Sequence, residues 1–425
     1  MNANKIDWDA YLDVAYVSDV GMRRSNNQDS YAVNLASDMN SWRKKGHLFI
    51  VADGMGAHAA GELASRLAVE QIPHIYRKYA DFSPPEAVKR AVIETNAEIN
   101  RRGQANEEFH NMGTTCSVLT LLPQGAIAAH VGDSRVYRLR GKRLEQLTFD
   151  HSLVWEMRAA NKKSGEESEL ANMLPKNVIT RSLGPFPDVN VDLEGPLPIK
   201  LNDTFLLCSD GLTNQVSDEE LGALLSNLQP ADAAKVLVDL ANLRGGPDNI
   251  TVVVVRIKNP EMTTEESKEA PLVIGDKPQS RHIPLLIWVL FGIFLVATII
   301  TLAIATVQAI FLGVVTLFFL GLIVLRAMGV GSGGQKVTGG KRFGKGPYTK
   351  TDGTARDDLV ASMNGVLMDL RKAAVEEKWK VDLAFFDKCV NEAIASSESG
   401  KLDSAIRSYA KAMSDLMDQL RKNGS

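Results

Sequence analysis

Three short apolar runs in this chain end in aspartate: HLFIVADG at Asp53-Gly54, TFLLCSDG at Asp210-Gly211 and AIAAHVGD at Asp133. A GGPDN turn carries Asp248 into a fourth run, TVVVVRI. Apolar runs this short, bounded by turn residues, read as buried strands. One Asp-Gly pair is an ordinary turn. Four acidic strand ends instead gather carboxylates at one sheet edge, and such a cluster requires a hard cation.

Carboxylate, carbonyl and water ligands without His or Cys suit Mg2+ or Mn2+. Two such ions about 3.5–4 Å apart clamp the oxygens of a phosphoryl group, so phosphoester hydrolysis is the natural use. Further strand-like runs fall at 31–35, 48–52, 116–122, 126–131, 135–139, 204–208 and 251–257. Helical spacing marks 62–80, 84–103 and 231–243. Many of the strands are joined by turns too short for a parallel crossover. The first 258 residues are therefore expected to be α+β with largely antiparallel sheets.

With 48 Lys and Arg against 51 Asp and Glu, the net charge of -3 shows no basic excess, and no nucleic-acid partner is expected. The three cysteines lie far apart without a CxxC pair, which excludes a disulfide framework and a zinc site. The polar start, MNANKIDWDAYLD, lacks the basic and apolar regions of a secretory signal.

From 283 to 325 no residue is charged. About 43 residues would form a helix of roughly 65 Å, twice a hydrocarbon core of about 30 Å. This predicts a transmembrane helical hairpin over 283–327, turning near Thr306, Val307 and Gln308. Lys277, Arg281, Arg326, Lys336, Lys341 and Arg342 flank it. The positive-inside rule then places the chain in the inner membrane with two spans, its catalytic half and C-terminus cytoplasmic. Residues 259–282 and the Gly-rich, basic 328–354 read as linkers, the latter either solvated or lying on lipid headgroups. GxxxxGK at 339–345 is followed by Gly346 where a phosphate loop needs Ser or Thr, and no strand precedes it. Residues 355–425 return to helical period on three faces: Leu359, Met363, Val366, Leu367 and Leu370; Leu383, Phe386, Val390 and Ile394; Leu402, Ile406, Tyr409, Met413, Leu416 and Leu420. A small all-α module is expected. It contains one hairpin resembling a tetratricopeptide repeat and serves either a protein partner or packing alone.

The blocks GMRRSNNQDS, FIVADGMGAHAAGELAS, NMGTTCSVLTLL, AAHVGDSRVYRLR, LTFDHS, NVITRSLG, FLLCSDGL and GGPDNITVVVV, in that order, resemble the metal-dependent Ser/Thr protein phosphatases of the type 2C class, bacterial members especially. The resemblance spans 14–257. It implies a four-layer α-β-β-α sandwich binding two Mn2+ or Mg2+ ions, with a third held loosely. By position, Asp53 resembles the ligand bridging two ions, Gly54 the carbonyl donor, and Asp210 and Asp248 the other ligands of the first ion. Asp29 resembles the Asp that orients metal-bound water, and Asp133 the third-ion ligand. Arg24 resembles the phosphate-binding Arg, a role its planar fork suits, while Arg23 reads as solvated. His58 is the candidate general acid, and His151 reads as structural.

Gln28 stands where the family often has a Glu ligand to the second ion, and Ala57 and Ala60 replace glycines. Asn249 is expected to hold the Asp248 turn, Thr114 and Thr115 to start a strand, and 150–192 to form a flap beside the site. The reaction implied is hydrolysis of phosphoserine or phosphothreonine by a metal-bridging hydroxide. Its substrates are phosphorylated proteins, a Ser/Thr kinase or its targets among them. Two alternatives stay open: an inactive phosphatase-like receptor, and a scaffold acting through 355–425.

Overall fold

The computed structural model describes residues 6–56, 59–164, 175, 178–264, 272, 285–302, 312–321 and 342–423. Its strands are β1 (Leu12–Asp19), β2 (Asp29–Asn34), β3 (His47–Met55), β4 (Gly113–Thr114), β5 (Cys116–Leu122), β6 (Gly125–Val131), β7 (Arg135–Arg140), β8 (Arg143–Gln146), β9 (Asp192–Leu197), β10 (Thr204–Cys208), β11 (Ile250–Ile257) and β12 (Thr349–Asp352). The helices are α1 (Met39–Lys45), α2 (Ala60–Lys78), α3 (Pro84–Ala105), α4 (Leu153–Ser164), α5 (Asp210–Thr213), α6 (Asp218–Asn227), α7 (Pro230–Leu243), α8 (Leu285–Leu302), α9 (312–321), α10 (Asp357–Glu376), α11 (Ala384–Glu398) and α12 (Leu402–Asn423).

Two antiparallel sheets result. One runs β1-β11-β10-β7-β8-β12; the other runs β2-β3-β5-β6-β9, with β4 paired to β3. Each central strand is buried on both faces, which is why it reads as a continuous apolar run. Phe49 and Val51 of β3 meet Val253 and Val255 of β11 in the core between the sheets. Their neighbours Leu48, Ile50 and Ala52 face α2 and α3. Val252 and Val254 face α6 and α7. Helices therefore cover both outer faces, and the α+β expectation of two antiparallel sheets holds.

Local signals set the helix starts. Ser217 and Glu220 form a reciprocal capping box on α6. Asp38 accepts from Ser41 N to cap α1, and Pro84 opens α3 at a position that needs no N–H.

Two expectations need correction. Among the described residues no helix is long and apolar enough to cross a membrane. That overturns the two-span hairpin over 283–327, and with it the inner-membrane placement and the lipid partner. At 18 residues α8 rises only about 27 Å, short of a hydrocarbon core of about 30 Å. Inside this segment Thr298 and Thr316 hydroxyls lie 3.1 Å apart, and Phe294 stacks on Phe319. The expected turn at 306–308 lies outside the described residues.

The second correction concerns 328–354, expected as a linker throughout. Its described end carries β12, which pairs with β8, placing Lys350 opposite Glu145 and Asp352 opposite Arg143. The three helices of 355–425 form as expected, but their apolar faces serve the chain itself. Leu359, Met363, Leu367, Phe386, Val390, Ile406, Tyr409, Met413 and Leu416 join one core with Leu221, Leu224, Val236, Leu237 and Leu240 of α6 and α7. Polar contacts support the junction: Lys235 Nζ donates to Ser414 O at 3.1 Å, and Arg421 pairs with the fully buried Asp239.

The second oxygen of Asp239 has no partner, and burial raises its pKa to about 6 despite Arg421. The folded state then holds this proton more tightly than the unfolded chain. Stability from protonation is complete below about 4 and is lost as pH rises through about 6, a span of about 3 kcal/mol. Asp239→Asn should therefore gain Tm relative to the parent between pH 4.5 and 7.5. A gap moving the other way would show that the ion pair outweighs the burial.

Candidate metal centre

Antiparallel pairing puts the C-terminal end of one strand beside the N-terminal start of the next. The ends of β3, β6 and β10 therefore lie with the starts of β2 and β11, and Asp53, Asp133, Asp210, Asp29 and Asp248 meet at one edge. Asp29 is the direct cross-strand partner of Asp53. Arg24, on the loop before β2, bonds Asp248 Oδ2 through Nη2 at 2.8 Å, and its side chain is half exposed.

The loop carrying Arg24 is pinned by Asn249, a firmer role than turn formation. Its Nδ2 donates to Val20 O at 2.8 Å and Asn26 O at 3.0 Å, and its Oδ1 accepts from Gln28 N at 2.8 Å. Gly21 must be glycine: its φ is +80° and a Cβ would strike the Asp248 carbonyl. On β10, Ser209 Oγ donates to Asp29 Oδ2 at 2.7 Å and accepts from Thr251 N at 2.9 Å. Around Asp53, its N–H donates to Thr115 Oγ1 at 2.9 Å, while Thr115 N donates to Asp53 O at 2.8 Å. Thr114 and Thr115 do not start a strand as expected; instead Thr114 ends the two-residue β4 and Thr115 links it to β5.

The Asp133 turn is held from behind by His151. Gly132 N donates to His151 Nδ1 at 3.0 Å, and His151 N donates to Gly132 O at 2.7 Å. With Nδ1 accepting, the proton sits on Nε2, 3.1 Å from Asp192 Oδ2. Sequence reading treated His151 only as structural and missed Ser209. Both stand beside a predicted ligand or its turn, yet their partners lie tens to hundreds of residues away. A polar residue next to a strand-ending Asp was the available signal. His58 and Ala57 lie outside the described residues, as do 165–174 and 176–177 in the flap, whose described part includes α4, residue 175 and residues 178–192. Gln28 Nε2 lies 3.4 Å from Gly56 O, and Gly54 N donates to Gln28 O at 3.1 Å.

The cluster's electrostatics follow from burial of like charges. Burial, then Asp210 and Asp248, hold Asp29 up at about 7 against the opposing bonds from Ser209 and Thr251. Burial, then Asp210 and Asp150, raise Asp133 to about 8. Burial raises Asp53 well above the usual carboxylate range, with Asp29, Asp210, Asp133 and Asp248 adding to it, and burial likewise raises Asp210. Buried carboxylates that repel one another are stabilised by cationic charge. One oxygen each of Asp29, Asp133 and Asp210 is buried without a hydrogen-bond partner, as an oxygen reserved for a cation would be. Among the described residues no three His, Cys, Asp or Glu side chains already converge on one point. That is compatible with hard cations whose remaining ligands are backbone oxygen and water. The donor set fits Mg2+ or Mn2+.

Two sheets flanked by helices, with carboxylates and an Arg fork at one edge, define a metal-dependent phosphoester hydrolase. The family model described as Protein phosphatase 2C matches residues 22–240, and the chain belongs to that family. It is 36% identical over 259 residues to Protein phosphatase PhpP of Streptococcus pneumoniae, covering 57% of this chain and 97% of the relative. Serine/threonine phosphatase stp of Listeria monocytogenes is 35% identical, with 56% of this chain and 93% of that protein covered. Among solved structures, a serine/threonine phosphatase of S. agalactiae aligns with TM-score 0.52 and 34% identity, covering 58% of this chain and all of that one. The Mycobacterium tuberculosis phosphatase PstP/Ppp gives 0.50 and 33%, covering 59% and all of it. The chain is a bacterial-type, metal-dependent protein Ser/Thr phosphatase acting on phosphorylated proteins.

Proposed function

We propose that hydrolysis takes place at the edge where Asp29, Asp53, Asp133, Asp210 and Asp248 meet, with Mn2+ or Mg2+. The observation that carries this reading is the gathering of five carboxylates at one sheet edge, Asp29 and Asp133 buried and Asp29 directly opposite Asp53, beside the Arg24 fork. When bound, two divalent ions there make water acidic enough to supply hydroxide near neutral pH and offset charge on the phosphoryl oxygens. Asp53, on which the other four all act, would be the ligand shared between the ions. Asp210 and Asp248 would hold the first, with the Gly54 carbonyl as a further donor, and Asp133 would hold a looser third. Asp29, fixed by Ser209, orients water by accepting its proton in a hydrogen bond. Gln28 offers a neutral amide oxygen where a carboxylate would bind a second ion more tightly. Arg24 has five N–H donors, so its bond to Asp248 leaves others for phosphate oxygens.

The test is phosphate release from a phosphothreonine peptide by the full chain with Mn2+, before and after chelation. Release that stops with chelator and resumes with metal is expected. Arg24→Ala should lower kcat/KM by about 10–100-fold, the worth of a charge-assisted hydrogen bond. A folded, metal-loaded chain without turnover would favour the phosphoprotein-receptor reading instead.

A further inference from the structure

We propose that Tyr348, on the strap entering β12, is a positioning residue for the phosphatase reaction, holding the Arg135 and Asp150 wall of a pocket beside the metal centre. This rests on the site reading above. The pocket, of about 160 Å³, is lined by Asp133 and Asp210 of the metal centre together with Arg135, Asp150, Trp155 and Arg158. A substrate segment flanking the phosphoresidue reaches this space, whereas a small aryl phosphate needs only the metal side.

The strap grips that wall at two points. Tyr348 Oη donates to Glu194 Oε1 at 2.5 Å, and Gly346 N donates to Glu194 Oε2 at 2.9 Å. The Tyr348 ring lies edge-on to Phe149, 5.3 Å away, and Phe149 in turn meets Trp155 at 5.5 Å. Phe149 directly precedes Asp150, whose carboxylate takes Arg135 Nε at 2.9 and 3.1 Å. Tyr348 N also donates to Gln146 O at 2.8 Å, and the Gln146 side chain donates to Asp150 Oδ1 at 2.7 Å. The second point is Thr349, 3.4 Å from Asp218 Oδ2. Asp218 accepts from Tyr137 Oη at 2.8 Å, and that hydroxyl accepts from Arg135 Nη1 at 2.8 Å. Arg135 is thus held on both sides by groups that the strap touches.

Charge fixes the strap's register. Lys350 stands opposite Glu145, itself opposite and bonded to Arg138, and Asp352 stands opposite Arg143. A slip of two residues would set Asp352 opposite Glu145 or Lys350 opposite Arg143, like charges face to face. The family match ends at residue 240, and less than three-fifths of this chain covers 97% of PhpP. A phosphatase is therefore complete without a strap, and its expected effect is on substrate choice rather than on hydrolysis itself.

The experiment compares kcat/KM of the full chain on a phosphothreonine peptide and on p-nitrophenyl phosphate. Tyr348→Ala should lower the peptide-to-small-substrate ratio about fivefold to tenfold, and Tyr348→Phe, which loses only the Glu194 bond, about threefold. An unchanged ratio in a folded Tyr348→Ala, whether activity persists or falls equally on both, overturns the proposal. Should that variant not fold, Glu194→Gln and Thr349→Val are judged by the same ratio. An inactive parent overturns the site reading as well; an active parent with unmoved ratios overturns only this one.

Discussion

Asp53→Asn should abolish metal-dependent hydrolysis, lowering kcat/KM by at least about a thousandfold, about 4 kcal/mol of transition-state stabilisation. The same variant should melt at a higher temperature than the parent in chelator. Asp53 faces Asp29, Asp133, Asp210 and Asp248, and each raises its pKa. Neutralising it relieves about 1–2 kcal/mol of repulsion, or a few degrees in Tm. In Mn2+ the order should reverse, because only the parent gains the full stabilisation of bound metal. Melting curves in chelator and in Mn2+, with initial rates on one phosphopeptide, read both effects. A variant less stable in chelator would make Asp53 a structural residue, and retained turnover would move the metal role elsewhere.

Deleting 342–425 should destabilise the catalytic half by about 3–5 kcal/mol, about 10 °C in Tm, or leave it aggregated. The helices α10–α12 share one core with α6 and α7, and their loss would expose Leu221, Leu224, Val236, Leu237 and Leu240 together. A patch of that kind is an association surface. The deletion also frees β8 as an unpaired sheet edge. Thermal melting and light scattering of residues 1–341 against the full chain measure this. A fragment that stays monomeric and melts with the parent would show that the C-terminal helices are an appendage.

The interior strands were legible because burial on both faces leaves an apolar run: Cys116–Leu122 and Thr204–Cys208 match their predicted bounds. Polar or partly exposed strands were not. In β8 (RLEQ) and β12 (TKTD) the sequence is polar, and the strand exists only through its partner. In β1, Tyr16 is 50% exposed, which breaks the apolar pattern. Hydropathy alone misread 283–327, since an uncharged composition specifies neither helix length nor the partner that covers it. At the metal centre the aspartates announced themselves by standing at strand ends. Their supports did not: Asn249 acts on residues 221 to 229 positions away, and Ser209 on one 180 away.

The order of strands in the first sheet bears on how the chain is made. β1 pairs with β11, Leu12 opposite Ile257, and β8 receives β12 only at residues 349–352. Emerging from the ribosome at about 5–20 residues per second, the chain completes β8 about 10–40 s before its partner exists. During that interval the edge is open to any extended segment nearby, including one from a neighbouring nascent copy. The alternating charges of β8, Arg143 and Glu145, make it selective while it waits.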